Sequence, residues 1–410
     1  MPTKTSQGAI FTKEFTKQEP IPEEGIRRAV ALMESGRLHR YNVAQGETSE
    51  VALLETEFAA YIGTRYCAAL SSCGSALYVA LKCAGVAAGD KVLCNAFTLA
   101  PVPGAIENAG AEVVLVSITP NYTVDLTDLE AKIHHSGARF FLISHMRGHI
   151  ADMERVTALC ANHGVTLIED CAHTMGGAWA DRPTGTFGVI GCFSTQTYKH
   201  MNSGEGGLLV TNDDDIAAKA ILYSGSYMLY SGHLSRPPLD VFERHRLTIP
   251  NFSLRMSNLQ AALLRPQLRR LDDSCRRWNE RYDTLTTALT GLPHLALPFR
   301  DPREKYVGSS FQFSLVDLQR QQAQWFIEEC GRRGVEIKWF GWREPKGFTS
   351  TFRHWQYLPH TAELSETEEI LDWLCDFRVP LTFSLDDCLL LAKVIGEVMA
   401  DIEDETPSAG

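Results

Sequence analysis

The sequence predicts an α/β fold with a mostly parallel central sheet flanked by helices, followed by a smaller α+β C-terminal domain. Three observations carry this. From Tyr66 onward, short β-type runs alternate with amphipathic helical stretches. The runs are nearly continuously apolar, which marks strands covered on both faces. The alternation then stops near Tyr223, where a loop with Gly225, Gly232, Pro237 and Pro238 leads into a long helical stretch. A chain of 410 residues also exceeds what one small core accommodates, so two domains are expected.

Taken in order, residues 1–20 are polar and aperiodic and read as a flexible N-terminal arm. Residues 21–260 form the larger domain. Its first helices run over Glu23–Ser35 and from Glu50 to Tyr61, where Leu53, Leu54, Phe58 and Ala59 recur at helical spacing. Strands are expected at Tyr66–Leu70, Lys91–Asn95, Glu112–Ile118, Arg139–His145, Thr166–Asp170, Val189–Ser194 and Gly207–Thr211. Helices fill most gaps, at Ser75–Cys83, Ala100–Asn108, Leu126–His134, Asp152–His163 and Ala217–Tyr223. Residues 261–410 form a connector helix and the smaller domain. The connector carries Leu264, Leu268, Leu271, Cys275, Trp278, Tyr282, Leu285 and Leu289 on one continuous stripe, with Pro266 near its start. Ser310–Val316 and Val335–Phe340 are the candidate strands beyond it. A closing helix starts after Ser384, a good N-cap with Asp386 and Asp387 in the first turn.

A net charge of −11 argues against a nucleic-acid partner. The arginines between Arg265 and Arg281 alternate with apolar residues at helical spacing and read as a solvated helix face. The eleven cysteines form no CxxC pair, and an odd count without a secretory signal points to a reducing compartment. No apolar run approaches membrane-spanning length. The expectation is a cytoplasmic protein.

Two stretches concentrate the chemistry. CFSTQTYKHMNSGEGG (Cys192–Gly207) sets Lys199 between the end of an apolar run and a glycine turn, and LIEDCAH (Leu167–His173) ends a strand with Asp170. In a parallel sheet, ligands sit beyond the carboxyl ends of the strands. An amine and an acid at two such ends suit pyridoxal phosphate: Lys199 forms the Schiff base, and Asp170 keeps the pyridine nitrogen protonated. The turn SSCGS, Ser71–Ser75, passes from strand to helix and offers free N–H groups to a phosphate. An ordinary βα turn explains this segment equally well when taken alone. A lone strand-end Asp is more often a helix cap, and His173 alone more often structural, with contact to the cofactor ring as its functional role. Ser194 places a hydroxyl within reach of a phosphate oxygen. The order of turn, acid, serine, lysine and glycine turn is what joins them.

At EDCAH, FSTQTYKHMNSGEGG and RMSNLQAAL the sequence resembles the DegT/StrS family of pyridoxal-phosphate-dependent sugar aminotransferases, of fold type I, over roughly Ile21 to Val398. The resemblance implies Lys199 as Schiff-base lysine and Asp170 as partner of the pyridine nitrogen. It also implies Cys73, Gly74 and Ser194 as phosphate ligands, and His173 and Phe97 against the ring; Phe97 fits the core as well. The family carries a Thr at Gly74, so Ser75 is the candidate substitute. The Asn that a partner subunit offers falls here at Ser253, with Asn251 displaced by two residues. The family's Pro-Val-His-Leu-Tyr-Gly reads here as ISHMRG, so the substrate pocket is expected to differ, with His145 or Arg147 facing substrate. No metal is expected: His145, His149 and Asp152 span a strand end and a loop.

The implied function is amino-group transfer from an amino acid, glutamate or glutamine, to a keto sugar, keto cyclitol or related ketone, by a homodimer with active sites at the subunit interface. The alternatives are a lyase such as a sugar dehydratase, some of which replace the lysine by histidine, and a non-catalytic cofactor-binding protein.

Overall fold

The computed structural model describes residues 8–358 and 364–402; residues 1–7 of the expected arm, and 359–363 and 403–410 of the expected C-terminal domain, lie outside it. A seven-stranded sheet forms the larger domain. Its strands are β1 (Tyr66–Leu70), β2 (Lys91–Asn95), β3 (Glu112–Val116), β4 (Phe140–Ser144), β5 (Thr166–Asp170), β6 (Ile190–Ser194) and β7 (Gly207–Thr211). They lie in the order β1-β7-β6-β5-β4-β2-β3. Neighbours from β3 through β6 are parallel, and β7 runs antiparallel to both β1 and β6. Strands β1, β4, β6 and β7 are buried at every residue. Alternate residues feed cores on opposite faces: Cys192 and Leu209 join one, Phe193 and Leu208 the other. This two-sided burial is the reason the strands read as unbroken apolar runs.

The smaller domain is a four-stranded antiparallel sheet of β8 (Leu295–Ala296), β9 (Ser310–Leu315), β10 (Lys338–Trp339) and β11 (Leu374–Arg378), in the order β8-β9-β11-β10. The closing helix Leu385–Ala400 covers it and starts with a capping box between Ser384 and Asp387. Strand β11 escaped the sequence pattern. Cys375 and Phe377 enter the core, while Asp376 and Arg378 break the apolar run and face the seam between the domains.

Two expectations are modified. The connector is two helices, Asn258–Leu268 and Leu271–Leu289, separated at Arg269 and Arg270. Pro266 brings no N–H to the ladder and weakens the helix there. Its ring packs instead against Gly25 of the first helix, where an added Cβ would lie 3.1 Å from the proline Cγ. The stripe still connects both domains: Leu268, Leu271, Cys275 and Trp278 pack on the large sheet, and Tyr282, Leu285 and Leu289 on the small one.

Of the expected flexible arm, residues 8–20 are docked. Phe11 and Phe15 are each 2% exposed, and their rings meet Phe383 at 5.1 Å. The Phe11 N–H donates to the Arg333 carbonyl at 2.8 Å. The few apolar residues of this segment give no periodic signal, yet two phenylalanines suffice to hold it.

A short ribbon joins the domains: Glu304–Lys305 pairs antiparallel with Ala178–Trp179. The Ile150 N–H donates to Glu304 Oε1 at 2.8 Å, and His149 Nε2 lies 2.9 Å from Gln312 Oε1. Phe11→Ala is expected to destabilise the protein by about 3–5 kcal/mol, as for other buried phenylalanines. Urea unfolding checks this, and a loss below about 0.5 kcal/mol, typical of surface sites, would mean the segment is undocked.

Candidate active site

Strands β2, β4, β5 and β6 end at Asn95, Ser144, Asp170 and Ser194, so parallel pairing aligns four polar residues along one edge of the sheet. Asn95 accepts the Ser144 N–H at 2.8 Å and donates to the carbonyls of Phe97 (2.8 Å) and Ser144 (3.1 Å). Ser144 Oγ donates to Asp170 Oδ2 at 2.7 Å, and the Ala172 N–H donates to Oδ1 at 3.1 Å. The carboxylate is thereby fixed in direction. Burial pushes the Asp170 pKa up, while Ser144, Ala172 and nearby Lys199 pull it down. A dry carboxylate without an ion-pair partner favours a cation placed against it. The preceding Glu169 is committed elsewhere, accepting the N–H groups of Gly185 (2.8 Å) and Gly188 (2.7 Å).

Lys199 lies in the connection from β6 to β7. Backbone bonds from Thr195 to Gly206 (3.0 Å) and Thr197 to Gly204 (3.1 Å) close it. Gly204 has φ 81° and its N–H is capped by Asn202 at 2.9 Å. A Cβ on Gly207 would overlap the Ser72 carbonyl, so the glycine lets β7 lie directly against the start of the helix Cys73–Ala84. Lys199 Nζ is 2.6 Å from His173 Nε2. Burial and the Arg147 charge lower the Lys199 amine to about 8, opposed by Asp170. Burial likewise pushes His173 well below the ordinary histidine range, so its ring is neutral and accepts from Lys199. His173 Nδ1 is buried without a hydrogen-bond partner among the described residues.

At the helix start, Ser72 caps the Ser75 N–H at 3.0 Å. The N–H groups of Cys73 and Gly74, the first two helical residues, have no acceptor within the helix.

Cys73, Gly74, Asp170, His173, Ser194 and Lys199 all line one cavity of about 610 Å³. Four other sequence candidates do not line it. Ser75 Oγ is engaged with Ser71 (3.1 Å) and Ser72 (2.9 Å). Phe97 is a core residue, its ring edge-on to Phe340 at 5.5 Å and Tyr122 at 6.1 Å. Asn251 and Ser253 are exposed; Asn251 accepts the Tyr227 N–H at 2.9 Å, and Ser253 Oγ lies 3.4 Å from Arg255. His145, His149 and Asp152 turn to separate partners, Glu169, Gln312 and the Arg155 N–H.

Sequence reasoning missed Asn95 and Ser144, which orient the acid, and Tyr198 and Arg378, which line the cavity. A polar residue closing each apolar run was the available signal for the first pair.

The DegT/DnrJ/EryC1/StrS aminotransferase family model matches residues 22–375. The chain belongs to this family. It is 31% identical over 280 residues to the spore coat polysaccharide biosynthesis protein SpsC of Bacillus subtilis (strain 168), covering 68% of this chain and 70% of that one. It is 32% identical over 285 residues to the L-glutamine:scyllo-inosose aminotransferase of Streptomyces griseus, covering 69% of this chain and 66% of that enzyme. Among solved structures, 3-amino-5-hydroxybenzoic acid synthase superposes with a TM-score of 0.78 at 24% identity, covering 94% of this chain and 99% of that one. Helicobacter pylori PseC superposes with a TM-score of 0.81 at 18% identity, covering 96% and 100%. These confirm the fold type I architecture.

The protein is therefore a pyridoxal-phosphate-dependent aminotransferase, and its residues fit that cofactor. Free helix-start N–H groups suit the phosphate, and the buried Asp170 suits a protonated ring nitrogen. The unpartnered His173 Nδ1 and the poised Lys199 amine complete the set. In the apoprotein the neutral fraction of Lys199 rises as pH passes through about 8. The rate of reconstitution with pyridoxal phosphate, followed by absorbance, is expected to rise with a midpoint there; a midpoint near an ordinary lysine value would refute the lowered pKa.

Proposed function

We propose that this aminotransferase moves the amino group of glutamate or glutamine to the ketone of a sugar, cyclitol or related molecule, in the biosynthesis of a sugar or natural product. The observation that carries the proposal is the convergence of Lys199, His173 and Asp170 in one cavity. When bound, pyridoxal phosphate supplies an aldehyde for the amine and an electron-withdrawing ring. The protein supplies the rest. With the cofactor held there, the Lys199 amine would be the base that takes a proton from the substrate carbon and the acid that gives one back. Asp170 keeps the ring nitrogen charged, and His173, neutral and 2.6 Å from Nζ, orients the amine. Across the cycle one water gives its oxygen to the donor, which leaves as its oxo acid, and the ketone oxygen leaves as water.

A lysine at position 199 favours transfer over the lyase alternative, since the base needed to move protons both ways is present. A binding-only protein would have no need of an amine lowered to about 8.

The functional unit we propose is a homodimer. Tyr227, Met228, Leu229 and Phe252 are each about half exposed, and Leu247 is 82% exposed. Such an apolar patch calls for a partner, and it surrounds Asn251 and Ser253, which a second copy would receive at its own site. A cytoplasmic location agrees with eleven free cysteines. Among the described residues no helix is long and apolar enough to cross a membrane.

Lys199→Ala is expected to abolish turnover while circular dichroism and thermal unfolding remain native-like; measurable turnover would remove Lys199 from its role. Asp170→Ala is expected to lower kcat/KM by at least about 100-fold, the scale of losing a charged group aimed at the reacting system. A near-normal rate would place the acid's role elsewhere. Bleaching of the cofactor's visible band on adding glutamate or glutamine tests transfer itself; a band indifferent to every amino donor would support the binding-only alternative.

A further inference from the structure

We propose that Arg147 and Arg378 form a carboxylate subsite, and that the ketone aminated by this enzyme carries a carboxylate. The inference deepens the aminotransferase function above and rests on it for the identity of the reaction, though the subsite itself stands on the following geometry.

Arg147 follows β4 in a left-handed backbone conformation, φ 56°, and is only 8% exposed. Its Nη2 lies 3.1 Å from Asp376 Oδ2, without the alignment of a hydrogen bond, and its Nε has no acceptor among the described residues. Asp376 is already shared: Lys338 Nζ lies 3.2 Å from the same oxygen, and Gln312 donates to the other at 2.7 Å. Arg378 stands two residues farther along the same strand and so on the same face as Asp376. Its guanidinium lies 3.7 Å from the centroid of the Tyr198 ring and 5.6 Å from that of Phe348. Among the described residues no carboxylate pairs with Arg378. Two cations, Arg147 and Lys338, therefore share one anion, and both Arg147 and Arg378 line the cavity. Guanidinium groups held this way, planar and poorly solvated, are matched by a carboxylate.

The cofactor does not account for this charge. Along the sheet, the phosphate turn follows β1, while Ser194, Asp170 and Arg147 follow β6, β5 and β4 in turn. Arg147 thus follows the strand on the far side of Asp170 from the phosphate turn. Arg147, Arg378 and Lys199 line the same cavity, so an anion held by the arginines shares it with the amine. The diphosphate of a nucleotide sugar, several bonds from its ketone, does not belong there; a carboxylate on the ketone's own skeleton does. The amino acid donor, with its own carboxylate, uses the same groups in the other half of the cycle.

The test is calorimetric binding to the holoenzyme of 4-oxocyclohexanecarboxylate and of its methyl ester, with maleate as a dicarboxylate lacking amine and ketone. Wild type is expected to bind the acid at least about tenfold more tightly than the ester, a difference of about 1.4 kcal/mol. It is also expected to bind maleate in competition with the acid. Arg378→Gln, which breaks no ion pair, is expected to lose the preference and to weaken maleate by a similar factor. Equal binding of acid and ester by wild type, failure to bind maleate, or an unchanged preference in Arg378→Gln would each overturn the subsite. A protein that shows the preference yet whose cofactor band ignores every amino donor would instead overturn aminotransfer and leave the subsite standing.

Discussion

Asp170 is 4% exposed at the end of β5, and its two oxygens are held by a hydroxyl and an amide N–H, not by a paired cation. Burying a charge on those terms is costly, and the arrangement around it makes sense as preparation for a positive ring. Asn95 fixes Ser144, Ser144 fixes the carboxylate, and the carboxylate sets where a protonated nitrogen can rest. The helix start at Cys73 and Lys199 on the next connection border the same cavity, where they would receive a phosphate and an aldehyde. The sheet order alone brings these three within one cavity, because β5 and β6 are neighbours and β7 returns against the helix start.

Much of this was legible from local pattern. Strands buried on both faces announce themselves as apolar runs, and five of the seven in the large sheet end in polar residues, Asn95, Ser144, Asp170, Ser194 and Thr211. Lys199, Asp170, His173 and the turn at Cys73 were readable because each sits at a strand end or a helix start. Asn95 and Ser144 were not, because their roles depend on β2 lying beside β4, a pairing that skips β3 and has no local signature. Arg378 was hidden for a similar reason: Asp376 and Arg378 break the apolar run of its strand, which is meaningful only where it borders the larger domain. Phe97 shows the converse, an aromatic beside the site whose ring is absorbed by Tyr122 and Phe340.

Charge in the cavity is divided between two regions. One holds Asp170 and the helix start. The other holds Arg147, Lys338 and Arg378 around Asp376, which remains ionised because its neighbours outweigh the cost of burial. Lys199 lies under the influence of both, raised by Asp170 and lowered by Arg147, with burial the largest effect.

The ribbon formed by Glu304–Lys305 and Ala178–Trp179 has a mechanical meaning. Its neighbours reinforce it: Arg300 donates to the Gly148 carbonyl at 2.9 Å, and Arg303 rests on the Trp179 ring at 4.5 Å while pairing with Asp152 and Glu154. Swinging the small sheet away like a jaw would break these contacts together, each hydrogen bond alone being worth about 0.5–1.5 kcal/mol. With the two sheets tied together in this way, the cavity wall that belongs to neither of them is the stretch bearing Gly347 and Phe348.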